Sequence, residues 1–270
     1  MNYNFLRFDI FYKIIIVFII ILLLEGIFHH YYWIISQKIN FLNYKNQIGY
    51  NNLIWQENGL VEILQVIFLL ISIIFIISYL KKIFYGSTII FKILIFLYLF
   101  GILYYFFEEI SWGQHIFGWE TPEFFLKINK QGETNIHNAY SVFNELPRNL
   151  LLFWCSLSFI IIKIKIFKNI HLNNFIFPSY KLKFISFLII FFFISDFVVD
   201  KLDLGPSEPH ASKKELMIYI FFEIISFNFI RLSELQEFLF NTYIMCHAYF
   251  LLKANYINKL SMLDDRFKTD

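Results

Sequence analysis

Apolar runs of about twenty residues restrict this chain more than any other feature of its sequence. A bilayer core about 30 Å thick needs roughly 20 apolar residues of helix, because each residue adds about 1.5 Å. Runs of this kind occupy residues 11–28, 60–80 and 89–107. Lipid offers no hydrogen-bond partners, so a spanning segment of this length satisfies its own backbone as a helix. The sequence therefore predicts an all-α integral membrane protein.

Further apolar segments extend the predicted topology beyond these runs. We interpret three of them as additional spans, at 150–167, 184–199 and 236–253. The segment 215–230 is short for a span, and we expect it to lie on the surface or to re-enter the membrane. The prediction is a single transmembrane helix bundle of about six spans, in which the outer loop, 108–148, contains short helices.

The charge content agrees with a membrane location and suggests an orientation. Charged residues make up 16% of the chain, against about 25% in soluble domains. The net charge is +2 and the basic residues are scattered, so we expect no nucleic-acid partner. With the N-terminus inside, most Lys and Arg residues fall in cytoplasmic segments, as the positive-inside rule requires. We predict a multi-pass protein of the bacterial plasma (inner) membrane, with both termini cytoplasmic.

Two adjacent glutamates, Glu108 and Glu109, end the third apolar run. Carboxylates at the end of a span are costly unless they reach water, pair with a cation or bind a metal. Trp112 follows Glu108 by one helical turn, so its indole can wall one side of the carboxylates. We predict Glu108 and Glu109 as catalytic candidates, and Trp112 and Gln114 as substrate-binding candidates. The alternative for Trp112 is an anchor at the membrane interface.

A second candidate pair lies later in the same outer loop. A helix beginning after Gly132 would put Glu133 and His137 one turn apart on one face. From there a carboxylate and an imidazole can reach the same metal ion or the same proton. Glu133 and His137 are therefore our candidate ligands for a divalent metal ion. The alternative is a first-turn helix acid with a nearby hydrogen-bonded histidine.

More carboxylates stand at the predicted outer ends of other spans. They are Glu62, Asp196, Asp200, Glu234 and Glu237. Metal sites in the core of helix bundles are built from acidic side chains that several helices contribute at one depth. Each can also be a helix cap or a solvated rim. We predict an acidic outward pocket and include Glu62 among its substrate-binding residues.

Two stretches of the outer loop carry a resemblance. E-E-I-S-W-G-Q at 108–114 and Q-G-E-T-N-I-H-N at 131–138 resemble a group of bacterial multi-pass membrane proteins with no known activity. The resemblance implies a polytopic membrane protein and supplies no reaction. Adjacent glutamates also open the first motif of the CAAX-type intramembrane proteases. We do not assign the chain to that class, because Gly113 stands where those proteases have arginine.

These patterns leave three hypotheses about function. The first is a membrane-embedded, metal-dependent hydrolase or transferase that acts on a lipid or lipid-linked substrate at the outward acidic pocket. The alternative is a non-catalytic transport or assembly subunit whose acidic outer face binds a cation or another membrane protein. The third is a structural protein in which outer polar side chains only hold helices together. All three share the lipid bilayer as a partner.

Overall fold

The structure, a computed structural model, describes residues 3–36, 54, 59–84, 87–129, 132–136, 139–160, 170–201 and 232–266. These residues form helices and connecting turns without a strand, so the all-α class is confirmed for this part of the chain. In chain order the helices are α1 (Tyr3–Ser36), α2 (Leu60–Ile83), α3 (Ile89–Glu109), α4 (Gln114–Phe117), α5 (Glu123–Ile128), α6 (Ser141–Ile160), α7 (Ile170–Ile176), α8 (Lys183–Lys201) and α9 (Leu232–Arg266). The predicted surface or re-entrant segment, 215–230, lies outside the described residues.

Three described helices are long and apolar enough to cross a bilayer. They are the Asp9–Phe28 part of α1, all of α2, and all of α3. The protein is therefore a membrane protein, and the first three predicted spans correspond to these helices. The other predicted spans fall on α6, α8 and α9, which do not reach the same length and apolarity within the described residues. In α8 the apolar stretch among the described side chains is Lys183–Ile194.

Helix α9 forms the centre of the bundle. Nearly every side chain from Glu234 to Ala248 is buried, and the helix packs against α1, α2 and α8. A helix buried on all sides is usually apolar all round, yet this one also buries Gln236, Asn241 and His247. Its polar residues lie inside the bundle, which explains why the sequence marked it only as a short span.

Helices α2 and α3 pack side by side and are joined by a short connection. The buried face of α2 includes Val61, Gln65, Phe68 and Ser72, spaced three or four residues apart. Thr88 caps α3, because its Oγ1 accepts a hydrogen bond from the Phe91 amide at 3.4 Å. The reversal between the helices brings the start of α2 and the end of α3 to the same end of the bundle.

Helix α6 packs on α8 and contacts α3 through aromatic side chains. The Ser158 hydroxyl donates to the Ser186 hydroxyl at 2.7 Å, which joins α6 to α8. The Trp154 indole donates to the Ile176 carbonyl at 3.0 Å and attaches α7. Helix α6 begins at Ser141, inside the segment assigned to the outer loop from the sequence. Together, α3, α6, α7 and α9 enclose a cavity, described below.

Candidate functional site

Glu108, the second-to-last residue of α3, is held by hydrogen bonds from the loop that follows this helix. Its side chain is 1% exposed. One carboxylate oxygen accepts a hydrogen bond from the Trp112 indole at 2.6 Å, and the other accepts one from the Ile136 amide at 2.7 Å. Both oxygens therefore have a donor from the loop, and Trp112 is a hydrogen-bond partner of Glu108.

Glu133 is held in a similar way. Its Oε2 accepts hydrogen bonds from the Ser111 hydroxyl at 2.9 Å and from the Asn135 amide at 2.7 Å. Asn129 donates to the Asn135 side chain at 2.6 Å and to the Glu133 carbonyl at 2.8 Å. The carboxylate thus fastens the 132–136 segment to the turn that follows α3.

Gln114 uses both ends of its amide within the loop. Its oxygen accepts hydrogen bonds from the Thr134 amide and the Thr134 hydroxyl, both at 2.8 Å. Its nitrogen donates to the Thr121 hydroxyl at 2.7 Å and to the Trp119 carbonyl at 3.3 Å. The side-chain amide of Gln114 therefore forms hydrogen bonds with four groups of the loop, which gives this residue a structural role.

The backbone turns sharply between α3 and α4. Ser111 and Trp112 have φ values of 46° and 56°, and Gly113 follows at 101°. Positive φ is uncommon for residues with a side chain and is costly for bulky ones. The turn directs the Trp112 indole onto Glu108, so hydrogen bonding accompanies the strained conformation.

We call this set of contacts the loop network; its members are Glu108, Ser111, Trp112, Gln114, Thr121, Asn129, Glu133, Thr134, Asn135 and Ile136. It joins the two stretches that carry the sequence resemblance. The helix expected after Gly132 is not formed, since residues 132–136 are not helical. The described half of the predicted Glu133–His137 pair is therefore not on a helix, and His137 lies outside the described residues.

A separate group of carboxylates lies nearer the bundle axis. Glu109 is within electrostatic reach of Glu62, Glu234 and Glu237, and the Tyr105 hydroxyl lies beside it. Gln65 donates to the Glu234 side chain at 3.3 Å. We call Glu62, Glu109, Glu234 and Glu237 the acidic cluster. Adjacent residues thus serve different regions, because Glu108 faces the loop and Glu109 faces this cluster.

The acidic cluster brings together carboxylates that the sequence predicted at one depth. Asp196 and Asp200 belong to the same prediction, but their side chains lie outside the described part of the structure. Among the described residues, no group of three or more His, Cys, Asp or Glu side chains has a geometry that could hold a metal ion. The described part of the chain therefore supplies no metal ligand set.

A cavity of about 590 Å³ lies beside the acidic cluster. This volume falls in the range of roughly 300–1,000 Å³ that is typical of ligand pockets. Its walls are mainly apolar, with side chains such as Leu97, Ile102, Leu150, Leu151, Leu157 and Ile244. Its charged lining residues, Glu108, Arg148 and Glu237, lie near the end of α3 and in the first parts of α6 and α9, and together with Tyr104 and Tyr105 we call them the polar end. The lining therefore combines a large apolar surface with a few polar side chains, as an amphiphilic ligand such as a lipid would require.

Arg148 and Gln236 are the functional candidates that sequence reasoning missed. Arg148 donates to the Gln236 side-chain oxygen, and the Gln236 amide nitrogen donates to the Phe192 carbonyl at 3.4 Å. The signal for Arg148 was its position. It is a basic residue at the predicted outer end of a span, whereas most Lys and Arg residues fall in the predicted cytoplasmic segments. Gln236 gave no such signal.

Comparisons with known proteins assign no family. No protein-family model, curated protein or solved structure matches this chain. The cavity and its polar end are therefore the features that bear on function.

Proposed function

We propose that this chain is a membrane-embedded protein that binds a lipid or lipid-linked substrate in the cavity and hydrolyses or transfers a group at its polar end. The observation that carries the proposal is the division of the cavity into long apolar walls and a single polar end. An acyl or isoprenoid chain can lie along the apolar walls, which places the reactive group of the lipid near the carboxylates.

The carboxylates supply candidate acid and base chemistry. Glu237 lines the cavity, and Glu109 lies within electrostatic reach behind it. Two neighbouring carboxylates disfavour double ionisation, so one tends to keep its proton while the other acts as a base. We propose Glu237 as the group that exchanges a proton with the substrate or with water, and Glu109 as a positioning residue. Glu62 and Glu234 complete the acidic surroundings.

The membrane arrangement is part of the same proposal. Helices α6, α8 and α9 are proposed as the fourth to sixth spans, which gives a multi-pass protein of the bacterial inner membrane with cytoplasmic termini. The acidic cluster gathers at one end of the bundle, whereas Lys82 and Lys253 approach each other at the opposite end. That distribution supports placing the lysine end in the cytoplasm.

Gly101 offers a direct test, because it lines the cavity and a Cβ there would meet no atom within 4 Å. A Gly101→Leu variant places a larger side chain in the cavity, and its first carbon meets no neighbouring atom. Native mass spectrometry measures the lipid that stays bound through purification. Turnover is measured separately, as the headgroup released when the protein is incubated with lipid extracts. The matched control is Ile90→Phe, which enlarges a side chain that is 65% exposed near the start of the same helix.

We expect wild type and Ile90→Phe to retain lipid and Gly101→Leu to lose it while keeping the same thermal transition. Equal lipid retention in all three proteins would overturn the proposed site. Lipid binding without turnover in the wild type would overturn the catalytic part and favour the non-catalytic transport or assembly alternative.

A further inference from the structure

The polar end contains a buried donor group that has no acceptor among the described residues. The Nε of Arg148 is buried and has no hydrogen-bond partner there, whereas the nearby Tyr104 hydroxyl lies beside the Glu108 carboxylate. Arg148 and Tyr104 line the same cavity. A buried donor without a partner is unfavourable, so Arg148 calls for an acceptor-rich ligand at this end of the cavity.

Arg148 also brings a positive charge to this end of the cavity. Its guanidinium donates to Gln236 and, within the described part of the chain, makes no ion pair. A guanidinium carries five N–H donors in a planar fork, which suits phosphate oxygens. One bond to a neutral amide therefore leaves both charge and donors for a ligand.

The contacts of Gln236 hold Arg148 in a fixed direction. Gln236 is fully buried, and its amide nitrogen donates to the Phe192 carbonyl at 3.4 Å. That bond turns the amide oxygen toward Arg148 on the facing helix. A ligand therefore meets a guanidinium already oriented by α8 and α9, which lowers the ordering cost of binding.

The remaining lining distinguishes a lipid phosphate from a free phosphate. Beyond the polar end the cavity is lined by apolar and aromatic side chains, including Leu150, Phe153 and Trp154. A free phosphate gains nothing from those walls, whereas a long chain buries its methylene groups there. The carboxylates of Glu108 and Glu237 repel an anion, and Arg148 supplies the opposite charge in the same cavity.

We infer that the substrate is a phosphate ester of a long apolar chain, with its phosphate bound by Arg148 at the polar end. This inference depends on the proposed function and names the substrate class for the same cavity.

The experiment compares three probes on the full chain in detergent micelles. Oleoyl lysophosphatidic acid carries both chain and phosphate, monooleoylglycerol carries the chain alone, and glycerol 3-phosphate carries the phosphate alone. Equilibrium binding of each radiolabelled probe is measured for wild type, Arg148→Gln, Arg148→Lys and Lys183→Gln. The last variant removes an exposed positive charge away from the cavity.

We expect wild type to bind the lipid phosphate about tenfold more tightly than monooleoylglycerol, because hydrogen bonds to charged groups are strong. Arg148→Gln should remove this preference while leaving monooleoylglycerol binding unchanged. Arg148→Lys should retain part of the preference, which also covers the case in which the glutamine variant fails to fold. Lys183→Gln should behave as wild type.

The possible failures are distinguishable. Equal affinity of wild type for the two lipids would overturn the phosphate inference and leave the proposed function standing. Binding of glycerol 3-phosphate as tight as that of the lipid phosphate would overturn the inference in favour of a free phosphate ligand. Binding of neither lipid would overturn the proposed function itself.

Discussion

The loop network and the polar end of the cavity are built from similar residue types but differ in how their hydrogen bonds are satisfied. In the loop network Glu108 accepts a bond on each oxygen, and Gln114 is matched at both ends of its amide. At the polar end the Arg148 Nε is buried without a hydrogen-bond partner among the described residues. Satisfied groups stabilise a fold, whereas an unsatisfied donor that lines a cavity is available to a ligand.

The two regions meet at Glu108, which lines the cavity and is bound by the loop. Its hydrogen bonds fix the loop against α3, so the loop network forms a rigid wall for the polar end. The comparison predicts that changes in the loop network reduce stability first, whereas changes at Arg148 reduce binding first.

Removing the Glu108 carboxylate gives the largest expected effect. Glu108→Ala eliminates two hydrogen bonds to a buried charged group, and we expect a loss of about 3 kcal/mol in the free energy of unfolding. Glu108→Gln keeps one acceptor and should lose about half as much. The measurement is reversible chemical unfolding in detergent micelles, followed by tryptophan fluorescence.

Glu120→Gln is the matched control for this pair, because Glu120 is an exposed carboxylate of the same loop. Its effect should stay within about 0.5 kcal/mol. If Glu108→Ala were as stable as this control but lost lipid turnover, Glu108 would be catalytic and the contrast between the two regions would fail.

The turn at Gly113 gives the next largest effect. Gly113 has φ of 101°, and a Cβ there would approach the Trp119 and Phe117 rings to 3.1 and 3.2 Å. Gly113→Ala should therefore destabilise by about 2 kcal/mol. Gly118→Ala should cost about 1 kcal/mol, because its φ is also positive but its surroundings are open. Equal losses in thermal unfolding would show that ring contacts at Gly113 contribute nothing.

Some of this arrangement follows from the sequence, and some does not. Run length predicted α2 and α3, because spanning a bilayer fixes the number of apolar residues. The positions of carboxylates at the ends of apolar runs predicted that Glu62, Glu109, Glu234 and Glu237 would lie at one depth. In the structure the other three lie within electrostatic reach of Glu109. Both inferences depend only on positions along helices.

The parts that local patterns missed depend on contacts between distant segments. Glu133 was assigned to a helix with His137, but bonds from Ser111 and Asn135 hold its segment in a non-helical form. Neither donor is visible in an i,i+4 pattern. Arg148 became a candidate only when α3 and α9 were seen to enclose the same cavity. Residue spacing along one helix carries no information about such neighbours.

Trp112 tests the boundary between the two regions. Trp112→Phe removes the indole N–H that donates to Glu108 but keeps an aromatic ring over Phe107, whose centroid lies 5.5 Å away. We expect a loss of about 1–1.5 kcal/mol in stability, because one hydrogen bond to a charged group is lost. Lipid affinity should not change. Weaker lipid binding at unchanged stability would instead support the substrate-binding role predicted from the sequence.

The smallest expected effect comes from a hydrogen bond inside the bundle, and it sets the scale for the others. Ser158→Ala removes the buried bond to Ser186 between α6 and α8. Interhelical hydrogen bonds in membrane proteins average about 0.6 kcal/mol, because the unfolded state in the membrane also finds partners. The control is Ser156→Ala, since that hydroxyl donates to the Phe153 carbonyl of its own helix and, among the described residues, to no other helix. Unfolding in micelles should show Ser158→Ala as the less stable of the two by about this amount. A loss in Ser158→Ala equal to that in Glu108→Ala would mean that the loop network is no stronger than an ordinary contact between helices. The distinction between a rigid wall and a binding end would then have no energetic basis.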